Sequence, residues 1–107
     1  MKELNDRLLE VLNLIEESEE KLLSWGITAI GLRHIEITGI ISQITGNPSN
    51  TDQVIQILKR KGWIREIKFN GVTSYRSRMA ETVFLLSKLR QWWHDEQPWQ
   101  KESHHIF

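Results

Sequence analysis

The stretch GNPSNTDQVIQILKRKGWIREIKFNGVTSYR, residues 46–76, decides the fold of this chain. Gly46-Asn47-Pro48 reads as a turn, because proline fixes its own φ and pushes the residue before it out of the helical region. Ser49-Asn50-Thr51-Asp52 has the form of a capping box, with aspartate as a shorter version of the usual glutamate. A helix then runs to Lys61, with Val54, Ile57, Leu58 and the stem of Lys61 on one face. Gly62 follows as the residue just past the helix, where a left-handed backbone costs glycine nothing. Two strands come next, Trp63–Phe69 and Val72–Arg76, joined by Asn70-Gly71. That dipeptide favours a type I′ hairpin turn, in which both central residues need positive φ. Ile64 and Ile67 do not alternate cleanly, so the strand register stays open.

Outward from this centre the signals differ in strength. Upstream, residues 4–24 predict a helix, with Leu4, Leu8, Val11, Ile15 and Leu22 recurring at helical steps, Ser18 interrupting them and Trp25 continuing them. Gly26 is the expected terminator. Residues 27–46 are ambiguous between strand and helix. Ile35 and Ile37 alternate, while Ile37, Ile40, Ile41 and Ile44 have helical spacing. The compromise is a strand near 33–37, Thr38 as N-cap, and a short helix ending at Gly46. Downstream, a helix is expected over 78–96. Met79, Val83, Leu86 and Trp93 form its main stripe, with Leu85, Leu89 and Trp92 beside it and Phe84 on the opposite face. Pro98 ends it.

Helix, short strand, short helix, turn, helix, glycine and hairpin is the order found in winged helix-turn-helix domains. The junction Lys61-Gly62-Trp63-Ile64 resembles that family's link from recognition helix to wing. The resemblance covers residues 27–78. It implies an α+β, mainly α fold in a single domain over 1–107. An N-terminal helix (1–26) would precede the helix-turn-helix and wing (27–78), with a long C-terminal helix (79–97) and a tail (98–107) after them. A second resemblance rests on Tyr75-Arg76-Ser77-Arg78-Met79-Ala80-Glu81-Thr82 and Phe84-Leu85-Leu86-Ser87-Lys88-Leu89-Arg90-Gln91. This stretch is similar to a segment near the amino-terminus of some large bacterial superfamily-2 helicases of defence systems, where it leads from a small domain towards the motor. The present sequence holds no Gly-Lys-Ser/Thr phosphate loop, so the resemblance implies a fragment or a stand-alone relative.

Double-stranded DNA is the partner implied by the winged-helix resemblance, and the charge distribution agrees. The chain carries 14 basic and 14 acidic residues, for a formal net charge of zero. Residues 1–50 nevertheless carry a net −4, residues 51–80 a net +5 and residues 81–107 a net −1. Phosphate affinity follows local rather than total charge; the alternative for a short basic segment is a solvated face. On a helical wheel Ser49, Gln53, Gln56, Lys59 and Arg60 project away from the core, and glutamine can pair in a bidentate manner with adenine. Asn50 stands near the helix N-terminus, where free N–H groups suit phosphate. Lys68, Asn70, Arg76 and Arg78 lie on or beside the hairpin, where a wing meets the DNA backbone. Asp52 runs against this pattern unless it accepts from a cytosine amino group or serves as a helix cap. A transcriptional regulator, or the DNA-binding module of a larger nucleic-acid machine, is therefore expected. The alternative is a protein-docking module.

Trp92, Trp93 and Trp99 offer more aromatic surface than a small domain easily buries. Together with Leu8, Leu12, Ile15 and Phe84 they are the candidates for contact with a second copy or a larger protein. Enzymatic chemistry is not expected. His34, His94, His104 and His105 have no ligand partner at i, i+4 spacing, and Ser24, Ser42 and Ser77 lack a nucleophile-elbow context. With no cysteine, disulfides and thiolate zinc sites are excluded; no cofactor or metal is expected. No apolar run approaches the roughly 20 residues needed to span a bilayer, and the N-terminus lacks signal-peptide order. These features make a cytoplasmic location the expectation.

Overall fold

The computed structural model describes residues 2–96; the tail 98–107, with Trp99, His104 and His105, lies outside the described residues. Four helices and a three-stranded antiparallel sheet give an α+β, mainly α architecture. Helix α1 (Lys2–Ser24) leads to a two-residue strand β1 (Leu32–Arg33) and helix α2 (His34–Thr45). A 3-10 turn (Pro48–Asn50) opens into α3 (Thr51–Arg60). The hairpin of β2 (Ile64–Phe69) and β3 (Val72–Ser77) follows, and α4 (Arg78–Glu96) begins directly where β3 ends. β3 is the central strand, in the order β1-β3-β2, so the hairpin is stitched to the body through β1. Leu32 pairs with Tyr75, and Glu66 faces Tyr75 from the other side.

Three helices and the sheet converge on one core. Leu8, Val11 and Ile15 of α1 meet Ile37 and Ile41 of α2, Ile55 and Leu58 of α3, and Leu32, Ile64 and Tyr75 of the sheet. Each such apolar side chain contributes about 1.5–3 kcal/mol by leaving water. The hairpin forms as its sequence demands. Asn70 and Gly71 have φ of 53° and 79°, the signs a type I′ turn requires. At the end of α3, Gly62 has φ of 71°. There the Gly62 N–H bonds the Lys59 carbonyl at 2.9 Å, and the Trp63 N–H bonds that of Leu58 at 3.0 Å. Those two bonds satisfy carbonyls that the helix terminus leaves over.

Three local expectations change. The first helical turn of α2 starts at His34 rather than after Thr38. Glu36 at the third helical position accepts from the Arg33 backbone N–H at 3.2 Å and from the Arg33 guanidinium Nε at 3.3 Å. This cap satisfies the helix entrance five residues early and leaves Ile35 exposed. The turn before α3 is capped by Asn47, whose side-chain oxygen accepts from the Ser49 N–H at 3.2 Å. Asp52 therefore sits in the first turn of α3 without acting as its cap. Within α3 the fully buried residues are Thr51, Ile55 and Leu58, with Val54 and Ile57 half-buried.

Helix α1 holds the largest surprise. Its buried positions Leu8, Val11 and Ile15 are continued by Glu19, with no exposed surface, while Trp25 is 74% exposed. The Glu19 carboxylate accepts from the Ser77 backbone N–H at 2.9 Å and from the Ser77 hydroxyl. Ser77 Oγ in turn accepts from the Ala80 N–H at 3.2 Å, which makes Ser77 the N-cap of α4. Burial raises the Glu19 pKa above 4.5, against the opposing pull of the Ser77 hydrogen bonds; nearby Glu16 raises it further and Arg76 lowers it.

The folded chain thus holds its Glu19 proton more tightly than the unfolded chain does. Stability contributed by the neutral form is full below pH 4.5 and is lost as pH rises through the higher folded value. Glu19→Gln keeps an acceptor for Ser77 without the charge. The melting temperature of the parent relative to this variant is expected to fall as pH climbs through that window. Parallel curves for the two proteins would refute the assignment.

Candidate nucleic-acid interface

With Thr51, Ile55 and Leu58 turned inward, the 100° step of the helix places Gln53, Gln56 and Arg60 directly opposite the core. All three are exposed. Lys59 and Asp52 lie on one flank of α3, and both are engaged. Lys59 Nζ contacts Glu66 Oε1 of β2 at 3.0 Å. His34 Nε2 donates to Asp52 Oδ1 at 2.7 Å, joining the start of α2 to the first turn of α3. The two flank contacts link α2 and the hairpin to α3 beside the exposed face, while the shared core positions the elements. These contacts also reduce the face's positive charge, since Glu66 offsets Lys59, while Asp52 accepts from an imidazole N–H.

Strand register sorts the hairpin's basic residues onto two faces. Side chains directly across a ladder share a face, and successive residues alternate. Glu66, Lys68, Thr73 and Tyr75 therefore share the face that abuts α3, and exposed Lys68 extends that surface towards the exposed Asn70 turn. Arg65 and Arg76 pair on the opposite face.

Arg76 is 4% exposed and does not belong to an accessible phosphate-binding set. Its Nε donates to the Ile30 carbonyl at 2.7 Å, its Nη1 meets Glu81 Oε2 at 2.7 Å, and its guanidinium stacks 4.3 Å from the Phe84 ring centre. Glu81 also holds Arg65 at 2.8 Å. Arg78 is exposed, with its guanidinium over Gly62 at the base of the hairpin. Ser49 and Asn50 are exposed in the turn that leads into α3; the Ser49 hydroxyl donates to Asn47 Oδ1.

The expected partner-contact residues divide as well. Leu8 and Ile15 are 3% and 0% exposed and serve the protein's own core, against which Leu12 also packs. Phe84, expected on the outer face of the last helix, instead is half-buried against Arg76, with Lys88 Nζ 5.5 Å from its ring. Trp92 and Trp93 are exposed.

Sequence reasoning missed Glu19 because a lone carboxylate inside the run 16–20 reads as solvated. The signal for it was the seven-residue step from Leu8 to Ile15, which lands on 19 after four more residues. The His34–Asp52 pair spans 18 positions, and no local spacing rule reaches that far.

No family model matches this chain, and neither the curated proteins nor the solved structures contain a match to it. The arrangement of helices, sheet and hairpin is compatible with a helix-turn-helix-like fold. Among the described residues no three His, Asp or Glu side chains gather in a metal-binding group, and no helix is long and apolar enough to cross a membrane.

Arg76 and Arg78 are adjacent in the pattern yet opposite in role, and substitution should separate them. Arg76→Ala strips a buried ion pair of one partner and is expected to cost about 3 kcal/mol in chemical denaturation. Arg78→Ala should stay within roughly 0.5 kcal/mol of the parent. Equal losses would contradict the placement.

Proposed function

We propose that this protein binds double-stranded DNA in the manner of a winged helix-turn-helix, with α3 entering the major groove. The observation that carries this reading is the exposed polar face of α3. Gln53, Gln56 and Arg60 stand opposite the core, and Lys68 and the Asn70-Gly71 turn extend beside them. A major groove about 12 Å wide accepts a helix of this kind. Gln53 and Gln56 offer the donor and acceptor pair that adenine matches, and Arg60 suits guanine or phosphate. The hairpin gives Lys68 and Asn70 a place along the DNA backbone, and Arg78 supports its base. Arg76 acts behind this surface by holding the hairpin to α4.

The electrostatic share of binding is modest under this reading. Arg60, Lys68 and Arg78 are the side chains best placed to neutralise phosphates, because Arg76 is buried and Lys59 and Arg65 are paired within the chain. Three neutralised phosphates correspond to a slope of about −3 in log affinity against log salt. Fluorescence anisotropy with duplex DNA at several salt concentrations measures it, and binding indifferent to salt would sink the proposal. Lys68→Ala should reduce the steepness by about one unit on every sequence. Gln56→Ala should change the preferred sequence and leave the slope intact.

Asp52 provides a further check in the opposite direction. Its carboxylate sits on the flank of α3, where it repels phosphate while holding His34. Asp52→Asn is expected to raise affinity for DNA of mixed sequence several-fold at low salt. A loss of affinity would mean that Asp52 itself reads a base. The biological setting consistent with this activity is a small regulator, or the DNA-binding module of a larger nucleic-acid machine.

A further inference from the structure

Helix α4 is fastened to the body along one side of its first turns and carries exposed apolar residues on the other side from 85 to 93. Ala80 is buried, Glu81 and Phe84 engage Arg76, and the hydroxyls of Thr28 and Ser87 lie 3.4 Å apart. Around and beyond that point, Leu85, Leu86, Leu89, Trp92 and Trp93 are each 50–58% exposed. Leu86, Leu89, Trp92 and Trp93 line an open apolar groove that continues to Arg90, with Leu85 exposed beside it. A contiguous patch of this kind on a small chain marks a contact surface.

The pattern of the patch names its occupant. Relative to Leu89 the apolar residues stand at −4, −3, 0, +3 and +4, so the set reads the same in both directions along the helix. From this we propose that α4 pairs antiparallel with α4 of a second copy of the chain, about a two-fold axis through Leu89. In that register Leu85 meets Trp93 of the partner subunit, Leu86 meets Trp92 of the partner subunit, and Leu89 meets its own equivalent. Each large indole then packs against a smaller leucine, as interdigitation requires. A parallel pairing sets indole against indole and leaves the leucines short of one another. It also crowds the two bodies, since each is attached at the same end of α4.

Area supports the assignment. The exposed parts of two tryptophans and three leucines amount to roughly 600 Å² per copy, so full burial in the pair would cover up to about 1,200 Å², the lower end of specific interfaces. Helix α1 offers less: Leu8, Val11 and Ile15 are inside the core, and Leu9 is its one large apolar residue among the exposed ones described. The pairing is independent of the DNA reading, and its test contains no DNA.

Sedimentation velocity of the full chain from 1 to 100 µM is expected to show dimer. Leu89→Glu sets two carboxylates against each other on the axis and should weaken association at least 100-fold, with helical circular dichroism and melting retained. A chain that stays monomeric throughout overturns the proposal and assigns the face to a different protein. Register is read with single cysteines, since the chain has none of its own. Leu89→Cys should form a disulfide-linked dimer under mild oxidation, and Trp93→Cys should not. Ready cross-linking of both variants would indicate a parallel pair and overturn the antiparallel assignment.

Discussion

Where β3 turns into α4, a buried carboxylate does what apolar packing does elsewhere in this fold. Glu19 reaches from α1 to the backbone and side chain of Ser77, and Ser77 caps α4. One residue earlier, Arg76 crosses to the loop before β1 through Ile30 and to α4 through Glu81. Helix α1, the loop before β1 and the continuous β3–α4 segment are thus joined by hydrogen bonds at two adjacent residues. Burying a carboxylate and a guanidinium is costly, and it is tolerated here because both are saturated: no buried polar side-chain atom among the described residues lacks a partner. Directional bonds also define an angle, which an apolar contact of equal strength does not. The line of α4 and the tilt of the hairpin both follow from this junction.

That junction also explains which parts of the structure the sequence disclosed. Turns and helix ends were legible because they depend on residues next to one another. Gly62 closes α3, and Asn70-Gly71 makes the hairpin, by backbone requirements that neighbours alone impose. The start of α2 was misplaced because Glu36 and Arg33 form a cap from residue types that are not the usual ones for the position. The face of α3 was read about one residue out of phase, since Ile55 and Ile57 are equally apolar and only the packing partners choose between them. Long-range pairs were not legible at all. Glu19–Ser77 and His34–Asp52 depend on how elements meet, and that information lies in the assembled core rather than in any window of the chain.

Charge tells a related story about the candidate site. A net +5 over residues 51–80 suggests a broadly basic surface, but three of its seven cations have carboxylate partners in the folded chain. Lys59 is held by Glu66, while Arg65 and Arg76 share Glu81. The charge left over is narrower, confined to Arg60, Lys61, Lys68 and Arg78. Lys61 in turn lies 5.1 Å from the Trp63 ring. What distinguishes the α3 face is accordingly hydrogen-bonding capacity around one central cation, Arg60. Such a surface favours discrimination between partners over raw electrostatic attraction.

The exposure of the apolar face of α4 between Leu85 and Trp93 is a direct consequence of the way its first turns are tied down. An amphipathic helix normally rotates until its apolar stripe meets the core. Here the Ser77 cap, the Glu81 pair and the Arg76–Phe84 stack select which side of the first turns faces the body. Positions 77, 80, 84 and 87 lie on that side at helical spacing, so residues 85, 86, 89, 92 and 93 are rotated away from it. Their exposure is therefore set by contacts at the start of the helix, and turning this face onto the described body would break the junction at Arg76 and Ser77. A surface that the described body is held away from leaves water by association with another surface.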